Sequence, residues 1–169
     1  DGASQGGVVF VFSRAAPGSA WSQLAKLVPV EPAGNTRVND LVGVSLDINH
    51  DVAGNWTIAA GSMNDTQVAS LAGAVWSFTS PSSTFATTTQ QKLVPTDGAA
   101  SWRFGAAVDI DGTSLAVGAY TASSSRGRAY LFNRAGSDWR FDGPAIGALD
   151  LPNTALYFGQ AIALEGNRL

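Results

Sequence analysis

The stretch WRFGAAVDIDGTSLAVGA, residues 102–119, decides the fold because its pattern returns elsewhere in the chain. Its first half, Phe104–Ile110, aligns without gaps with Val42–Ile48 and with Phe158–Leu164. The aligned segments lie 62 and 54 residues apart. Self-similarity at such a period indicates a repeat architecture, in which each period forms one supersecondary unit.

Three further segments repeat in step with the first one. An aromatic segment occurs at Gly7–Phe12, Gly73–Phe78 and Gly127–Phe132. Trp56–Gly61 loosely matches Leu115–Ala119, and Lys26–Pro29 matches Lys92–Pro95. Each period therefore holds four short strands: a Phe-Gly strand, a strand ending in glycine, an aromatic strand, and a strand leading to Leu-Val-Pro. Four antiparallel strands per period are typical of a β-propeller blade, so we predict an all-β fold.

Alternation along the strands supports this prediction. In the first strand, residues 42, 44, 46 and 48 are apolar, as are 104, 106, 108 and 110, and the residues between them are small or short. A period of two places bulk on one face and permits close approach on the other, which suits the innermost strand of a blade. In the third strand two aromatic layers are expected to pack between blades: Phe12, Phe78, Phe132 and Phe10, Trp76, Tyr130.

The stretch 102–119, with its Phe-Gly and Gly-Ala ends, resembles the FG-GAP repeat found in integrin α-chain heads. Gly127–Phe132 resembles the strand that follows in that family, and Trp21–Pro29 resembles the strand that closes a unit. The first unit departs most, since Val42 replaces the phenylalanine. The resemblance implies a β-propeller, usually seven-bladed, in a cell-surface, secreted or adhesive protein.

The amino-acid composition excludes several classes of function. Of 169 residues, 45% are hydrophobic and 14% are charged, and the net charge of −3 includes no basic cluster of the kind that nucleic-acid binding needs. The chain has no cysteine, which excludes disulfides, thiolate metal sites and cysteine nucleophiles. No run of 18 apolar residues is present, so no membrane-spanning helix is predicted.

The repeats amount to about three blades' worth of one propeller domain, with units at about 1–66, 67–121 and 122–169, the last truncated. Closed propellers hold about four to eight blades. We therefore expect the sequence to be part of a longer chain. The alternative is that other copies supply the missing blades through their open edges.

The best candidate site is the loop that follows Val42–Ile48, which has five more residues than its counterpart at Asp111-Gly112. Asp47, Asn49, Asp51 and Asn55 place oxygen ligands at positions 1, 3, 5 and 9, a pattern that suits Ca²⁺. The FG-GAP resemblance implies the same calcium loop, with the Ala53 carbonyl as a further ligand. Val52 stands where that family has glycine, and Asn55 where it has aspartate. The alternative is a polar hairpin loop without metal.

Other polar and aromatic residues are given structural roles. Asn55 and Asn64 begin sequons and are candidate N-glycosylation sites. Asp109 and Asp111 are predicted to belong to a tight Asp-Gly hairpin. His50, the single histidine, is predicted to be a solvated loop residue. Trp21 and Trp102 are expected to pack, although a sugar-binding rim is the alternative.

These features predict an extracellular binding or adhesion module whose loops meet a protein or glycan ligand. The variable segments 31–39 and 49–55 are the candidate contact loops. A structural subunit of a filament, sheath or surface layer, self-assembled through blade edges, is the alternative. An enzyme is disfavoured because one histidine and no clustered acids offer little catalytic chemistry.

Overall fold

The computed structural model describes residues 6–31, 38–147 and 156–169. Ten strands lie in these ranges: β1 (Val9–Ser13), β2 (Ser22–Leu27), β3 (Leu46–His50), β4 (Trp56–Ser62), β5 (Ala74–Ser80), β6 (Thr89–Leu93), β7 (Ala107–Asp111), β8 (Ser114–Ala119), β9 (Arg128–Ala135) and β10 (Asp138–Phe141). One short turn, α1 (Ala122–Ser125), lies between β8 and β9, and its three serines have positive φ. The fold is all-β, as predicted.

The strands form antiparallel sheets that have the layout of propeller blades. β3–β4–β5–β6 and β7–β8–β9–β10 are four-stranded sheets in chain order, which we call blade 2 and blade 3. β1 and β2 form a two-stranded sheet, which we call blade 1. In blade 3 Asp111 pairs with Ser114, so a two-residue turn joins the first two strands, as predicted, but its residues are Gly112 and Thr113 and not Asp111 and Gly112. The sheets are out of phase with the repeat units, because a unit starts at a third strand and a blade at a first one.

Hydrophobic cores lie between neighbouring blades. Trp76 and Phe78 of blade 2 pack with Val9, Val11 and Leu27 of blade 1. The opposite face of blade 2 contributes the smaller residues Ala59 and Val75 to a second core. Most of the volume of this core comes from aromatic residues on the blade 3 side: Phe104, Tyr130, Phe132 and Trp139. Phe104 meets Tyr130 edge-on, with ring centroids 5.2 Å apart. The predicted aromatic layers are therefore present at both blade interfaces.

Glycine permits the closest approach between blades. A Cβ atom on Gly61 would lie 1.9 Å from the Gly105 carbonyl oxygen, and one on Gly118 would lie 1.9 Å from that of Gly159. The second strand of one blade thus crosses directly over the Phe-Gly segment of the next blade. The alternation of small residues predicted this close approach, and the structure shows which backbones meet.

Two expectations differ from the structure. Phe10 and Phe12 are about half exposed (48% and 52%), because they lie on the face of blade 1 that no described residue covers. Phe158–Leu164 forms no β-ladder. It contacts blade 3 through an isolated parallel bridge from Phe158 to Gly127, through the close approach of Gly159 to Gly118, and through amides. The Phe158 amide donates to the Arg126 carbonyl and the Leu164 amide donates to Asp109. Ladder pairing needs a neighbouring second strand, and none follows Leu164 within the described ranges.

Candidate functional site

Antiparallel strands place the loops of every blade at two ends. One end, which we call the upper face, holds the segments that join second to third strands, residues 63–73 and 120–127. It also holds the segments that follow fourth strands, residues 94–103 and 142–147. We call lower face the end with residues 51–55, 81–88, 112–113 and 136–137. The predicted calcium loop lies on the lower face.

The calcium-loop candidates are close in sequence, but their side chains take separate partners. Asp47 accepts from the amide of Ile110 in blade 3 at 2.7 Å. The amide nitrogen of the Asn49 side chain approaches the Ile110 carbonyl at 3.4 Å, and its oxygen is buried without a hydrogen-bond partner. Asp47 and Asn49 therefore link the innermost strands of blades 2 and 3.

Asp51 is the centre of the loop itself. It is 6% exposed, and its carboxylate accepts from the Asn55 backbone at 2.8 Å and from the Asn55 side chain at 3.1 and 3.3 Å. Arg134 of β9, whose side chain is equally buried, approaches Asp51 to 3.2 Å. The sharp turn occurs at Gly54, with φ of +88°, and not at the family's glycine position, which Val52 occupies. The loop is thus closed by its own amides and by an arginine of the next blade.

The pKa of Asp51 reflects this environment. Burial alone would raise the pKa, but the hydrogen bonds from Asn55 and the charge of Arg134 outweigh burial and lower the pKa below its ordinary value. The carboxylate is therefore ionised and internally compensated. The Arg134 guanidinium beside the Asp51 carboxylate occupies the place where a calcium ion would have to approach this carboxylate. Calcium at this loop stays a prediction.

The other singled-out residues fall in different places. The Asn55 side-chain nitrogen, which a glycan would modify, is half-buried against Asp51, whereas Asn64 lies on the upper face and accepts from Arg103. His50 is exposed at the end of β3 and stacks on Trp56, with ring centroids 4.7 Å apart. Trp21 is 62% exposed. Of the variable segment 31–39, residues 32–37 lie outside the described ranges.

The upper face carries a carboxylate cluster that was not predicted. Carboxylate oxygens of Glu31, Asp40 and Asp65 all lie within 4.8 Å of one another. Asp40 and Asp65 are each 2% exposed. Lys92 of β6 donates to Glu31 at 2.7 Å and to Asp65 at 2.5 Å, and its ammonium lies over Trp76. An ammonium inside the cluster makes it an internal ion-pair network between blades 1 and 2.

Between blades 2 and 3 the upper face opens into a cleft of about 660 Å³, which we call the upper cleft. It is lined by Thr96, Asp97, Ser123, Arg126, Gly127, Arg128, Phe141, Pro144, Ala145 and Gly147. Asp97 pairs with Arg128 and accepts from the Tyr130 hydroxyl at 2.9 Å. Burial and the adjacent Asp97 raise the pKa of Tyr130, so the hydroxyl stays a donor.

Arg128 is held from two sides. Its guanidinium pairs with Asp97 and lies 4.9 Å from the ring centre of Trp102, a cation–π geometry. Trp102 is half-buried under this arginine, which favours the packing role over a free sugar-binding rim. The upper cleft therefore presents an oriented cation beside the ring of Phe141, which also lines it.

A sequence signal for both upper-face sites does exist. Glu31 and Asp97 each lie two residues after Leu-Val-Pro in the aligned Lys-Leu-Val-Pro segments. In the structure each acid pairs with a cation of the following blade, Lys92 or Arg128. A shared acid at one repeat position marks the blade boundary on the upper face, but the sequence does not say which cation it meets.

Comparison with known protein families agrees with the blade-like sheets of the structure. The FG-GAP repeat family model matches residues 87–132, which run from β6 through most of β9. The chain carries an FG-GAP repeat. No curated protein matches the chain. FG-GAP repeats are typical of extracellular proteins and often bind calcium. Among the described residues, no helix is long and apolar enough to cross a membrane.

Proposed function

We propose that this FG-GAP chain is an extracellular binding module that holds a protein or glycan ligand in the upper cleft. The observation that carries the proposal is the cleft itself. Its volume of about 660 Å³ lies within the range of ligand clefts, and two arginines and an aromatic ring meet in it. Arg128 is oriented in advance by Asp97 and Trp102, so little conformational entropy is lost when it binds a ligand.

The lining chemistry favours a ligand with an acidic group beside an apolar or ring surface. Arginine binds carboxylates and sulfates through paired N–H donors, and a flat ring such as Phe141 stacks on a sugar or aromatic face. Thr96 and Ser123 add hydroxyls to the lining. An acidic oligosaccharide and an acidic protein loop both have this chemistry.

The proposal assigns the chain no catalytic role. The single histidine, His50, stacks on Trp56 at the lower end of blade 2, and it does not line the upper cleft. On the upper face, Glu31 pairs with Lys92 and Asp97 accepts from Tyr130, each across a blade boundary, and Asp65 pairs with Lys92 within blade 2. These partners hold the acids in structural roles, which supports a binding module over an enzyme.

The test is binding of the purified chain to an array of sulfated, sialylated and neutral oligosaccharides printed beside acidic and neutral peptides. We expect the chain to bind acidic probes, and Arg126→Gln and Arg128→Gln each to weaken binding about tenfold or more, as loss of a charge-assisted hydrogen bond implies. Arg140→Gln is the matched control, because Arg140 is an exposed arginine of the same blade outside the cleft. Equal binding by all three variants would overturn the proposal.

The structural-subunit alternative is favoured by a different observation, the half-exposed aromatic residues Phe10 and Phe12 on the outer face of blade 1. Sedimentation over a wide concentration range separates the two functions. A binding module stays monomeric in the absence of ligand. A filament or sheath subunit forms larger species as concentration rises, and Phe12→Ser suppresses them.

A further inference from the structure

The upper cleft has an acid in contact with one of its cations, and this combination restricts which acidic ligands fit. Asp97, on the segment that follows β6, and Arg128, at the start of β9, both line the cleft. Both remain accessible, since the side chain of Asp97 is 45% exposed and that of Arg128 is 32% exposed. A ligand that reaches Arg128 therefore meets the negative charge of Asp97 at the same time.

Asp97 keeps acceptor capacity after its contacts within the fold. One carboxylate oxygen accepts from the buried Tyr130 hydroxyl at 2.9 Å, and the other pairs with Arg128. An ionised carboxylate offers about four lone-pair sites, so sites remain for donors that enter the cleft. Hydroxyl groups of a ligand are suitable donors, because hydrogen bonds to a carboxylate are stronger than those between neutral groups.

Arg128 likewise keeps donors for a ligand. Its ion pair with Asp97 is made by Nη1, whereas a guanidinium has five N–H donors in a planar fork. The guanidinium also lies over the ring of Trp102, which restricts its orientation. A planar carboxylate matches such a fork, because it can accept two parallel hydrogen bonds.

The rest of the lining suits a sugar ring. Phe141 is packed against Tyr130 and Phe132, with ring centroids 5.8 and 5.6 Å apart, and it also lines the cleft. An aromatic ring fixed in this way offers a flat apolar face to the C–H groups of a sugar. Thr96 and Ser123 add hydroxyls, which both donate and accept hydrogen bonds.

We propose that the ligand of the upper cleft is a saccharide with a single carboxylate at the point of contact, as in a uronic acid unit; this ligand class rests on the proposed function of the cleft. The carboxylate binds Arg128, a neighbouring hydroxyl donates to Asp97, and the ring lies on Phe141. A uronic acid carries its carboxylate and a hydroxyl on adjacent carbon atoms of one ring. Both groups can therefore reach a cation and an acid that are themselves in contact.

Asp97 disfavours the other acidic ligands that the cleft could attract. A multiply sulfated saccharide brings several negative charges close to Asp97, and like charges at short distance repel each other. An acidic side chain of a protein loop ends in its carboxylate alone, so it adds a negative charge and brings no hydroxyl donor for Asp97. Specificity arises here from a repulsive group as well as from an attractive one.

Isothermal titration of the full chain with matched probes tests the ligand class. The probes are a trisaccharide with one glucuronic acid unit, the same trisaccharide with that carboxyl reduced to an alcohol, a multiply sulfated trisaccharide, and a peptide rich in aspartate and glutamate. We expect the glucuronic acid probe to bind about tenfold more tightly than each of the others. Carboxyl reduction keeps every hydroxyl, so the loss that it causes measures the charge-assisted hydrogen bonds of the carboxylate.

A variant of Asp97 tests the selectivity. Asp97→Asn should weaken binding of the glucuronic acid probe about tenfold and strengthen binding of the sulfated probe, because the charged acceptor and the repulsion are lost together. Asp138→Asn is the matched control, since it removes the same charge from an exposed position of β10 outside the cleft. It should change neither affinity.

The outcomes separate the ligand class from the proposed function. A parent chain that prefers the sulfated probe or the peptide, or that binds the reduced trisaccharide equally well, shows that the ligand class is wrong while the cleft still binds a ligand. The ligand class is also wrong if Asp97→Asn leaves the preference between the glucuronic acid and sulfated probes unchanged. Absence of binding to every probe would overturn the proposed function as well.

Discussion

At Gly61 and Gly118 the second strand of one blade passes directly over the first strand of the next. The space there admits a hydrogen atom and no side chain, since the nearest carbonyl oxygen is 1.9 Å from an ideal Cβ. Neither glycine is needed for a turn, because both lie inside strands β4 and β8. Their role is close approach between blades.

We expect Gly118→Ala to reduce the free energy of unfolding by about 3 kcal/mol or more, because the methyl group meets backbone that cannot rotate away. Urea denaturation measures the loss. Gly112→Ala is the control. Its Cβ meets nothing within 4 Å, and its left-handed φ of +57° makes the expected loss about 1 kcal/mol. Equal losses for the two variants would contradict the close-approach role.

Asp51 and Arg134 form the second residue-scale feature, a buried ion pair between blades 2 and 3. Arg134→Gln leaves the Asp51 charge without its guanidinium, and we expect a loss of about 3 kcal/mol in the free energy of unfolding. Asp51→Asn combined with Arg134→Gln should recover part of this loss, because no buried charge remains. A double-mutant cycle by urea denaturation checks the coupling, and additive losses would show that the pair does not interact.

The same variant tests the calcium prediction. With Arg134 removed, the Asp51 carboxylate and the neighbouring oxygens are available to a cation, so millimolar calcium should raise the melting temperature of Arg134→Gln more than that of the parent chain. Arg140→Gln controls for the change in net charge. If the parent responds as strongly as the variant, the loop binds calcium despite the arginine and our interpretation of the ion pair is wrong.

At the scale of strands, aspartates join neighbouring blades where backbone pairing does not. Asp47 of β3 accepts from the Ile110 amide, and Asp109 of β7 accepts from the Leu164 amide. Ile110 and Leu164 occupy the same repeat position, one after the aspartate position. A carboxylate at this position therefore replaces a ladder hydrogen bond between first strands. The third unit has Ala163 there and cannot extend the series.

The first strands also place Asp109 near Asp47 and Asp111, and the repulsion between their charges lowers the stability of the fold by an amount that depends on pH. Burial raises the pKa of Asp109 above its ordinary 3.8, the Leu164 amide opposes this, and the nearby Asp47 and Asp111 raise the pKa further. An acid whose pKa is higher in the folded state binds its proton more tightly there. Its contribution to stability therefore falls as the pH rises from 3.8 through the raised pKa.

Asp109→Asn should accordingly become more favourable, relative to the parent, as the pH increases. The amide oxygen of asparagine still accepts from Leu164, and the charge repulsion with Asp47 is gone. Urea denaturation at pH 3 and pH 7 measures the change in relative stability. Asp138→Asn, which removes the same charge from the exposed surface of β10, controls for net charge. A relative stability that falls with pH would show that Asp109 favours its ionised form.

At the scale of the whole molecule, the blades differ in how completely they are covered. Blade 2 has a core on each face, against blade 1 on one side and blade 3 on the other. Blade 1 has two strands, each of which pairs on one side only among the described residues, and half-exposed Phe10 and Phe12. Local stability should therefore decrease from blade 2 to blade 1.

Hydrogen exchange followed by mass spectrometry checks this order. We expect amides of β1 to exchange faster than those of β5, which is hydrogen-bonded on both sides and nearly fully buried. Protection of β1 as strong as that of β5 in the chain alone would mean that its edge is already paired.

The repeat determined the blade, because strand pattern is local. Alternation with a period of two and small residues at one position can be read within residues 102–119, and the aromatic positions within residues 127–132. They predicted the strand order and the buried aromatic layers of blades 2 and 3, but not the exposure of Phe10 and Phe12 in blade 1. The carboxylate partners were not readable in this way. The pattern placed Asp47, Asn49, Asp51 and Asn55 in one loop and suggested a shared cation.

Tertiary structure decided the partners, since a polar side chain bonds to whatever the neighbouring blade brings within reach. Asp51 meets Arg134, 83 residues further along the chain, and Asp47 meets an amide 63 residues away. Glu31 meets Lys92 only because blade 1 packs on blade 2. The sequence by itself determined which strands form and which faces are apolar. The stacking of one blade on the next determined where each charge is compensated, because this depends on distances between segments that no local pattern contains.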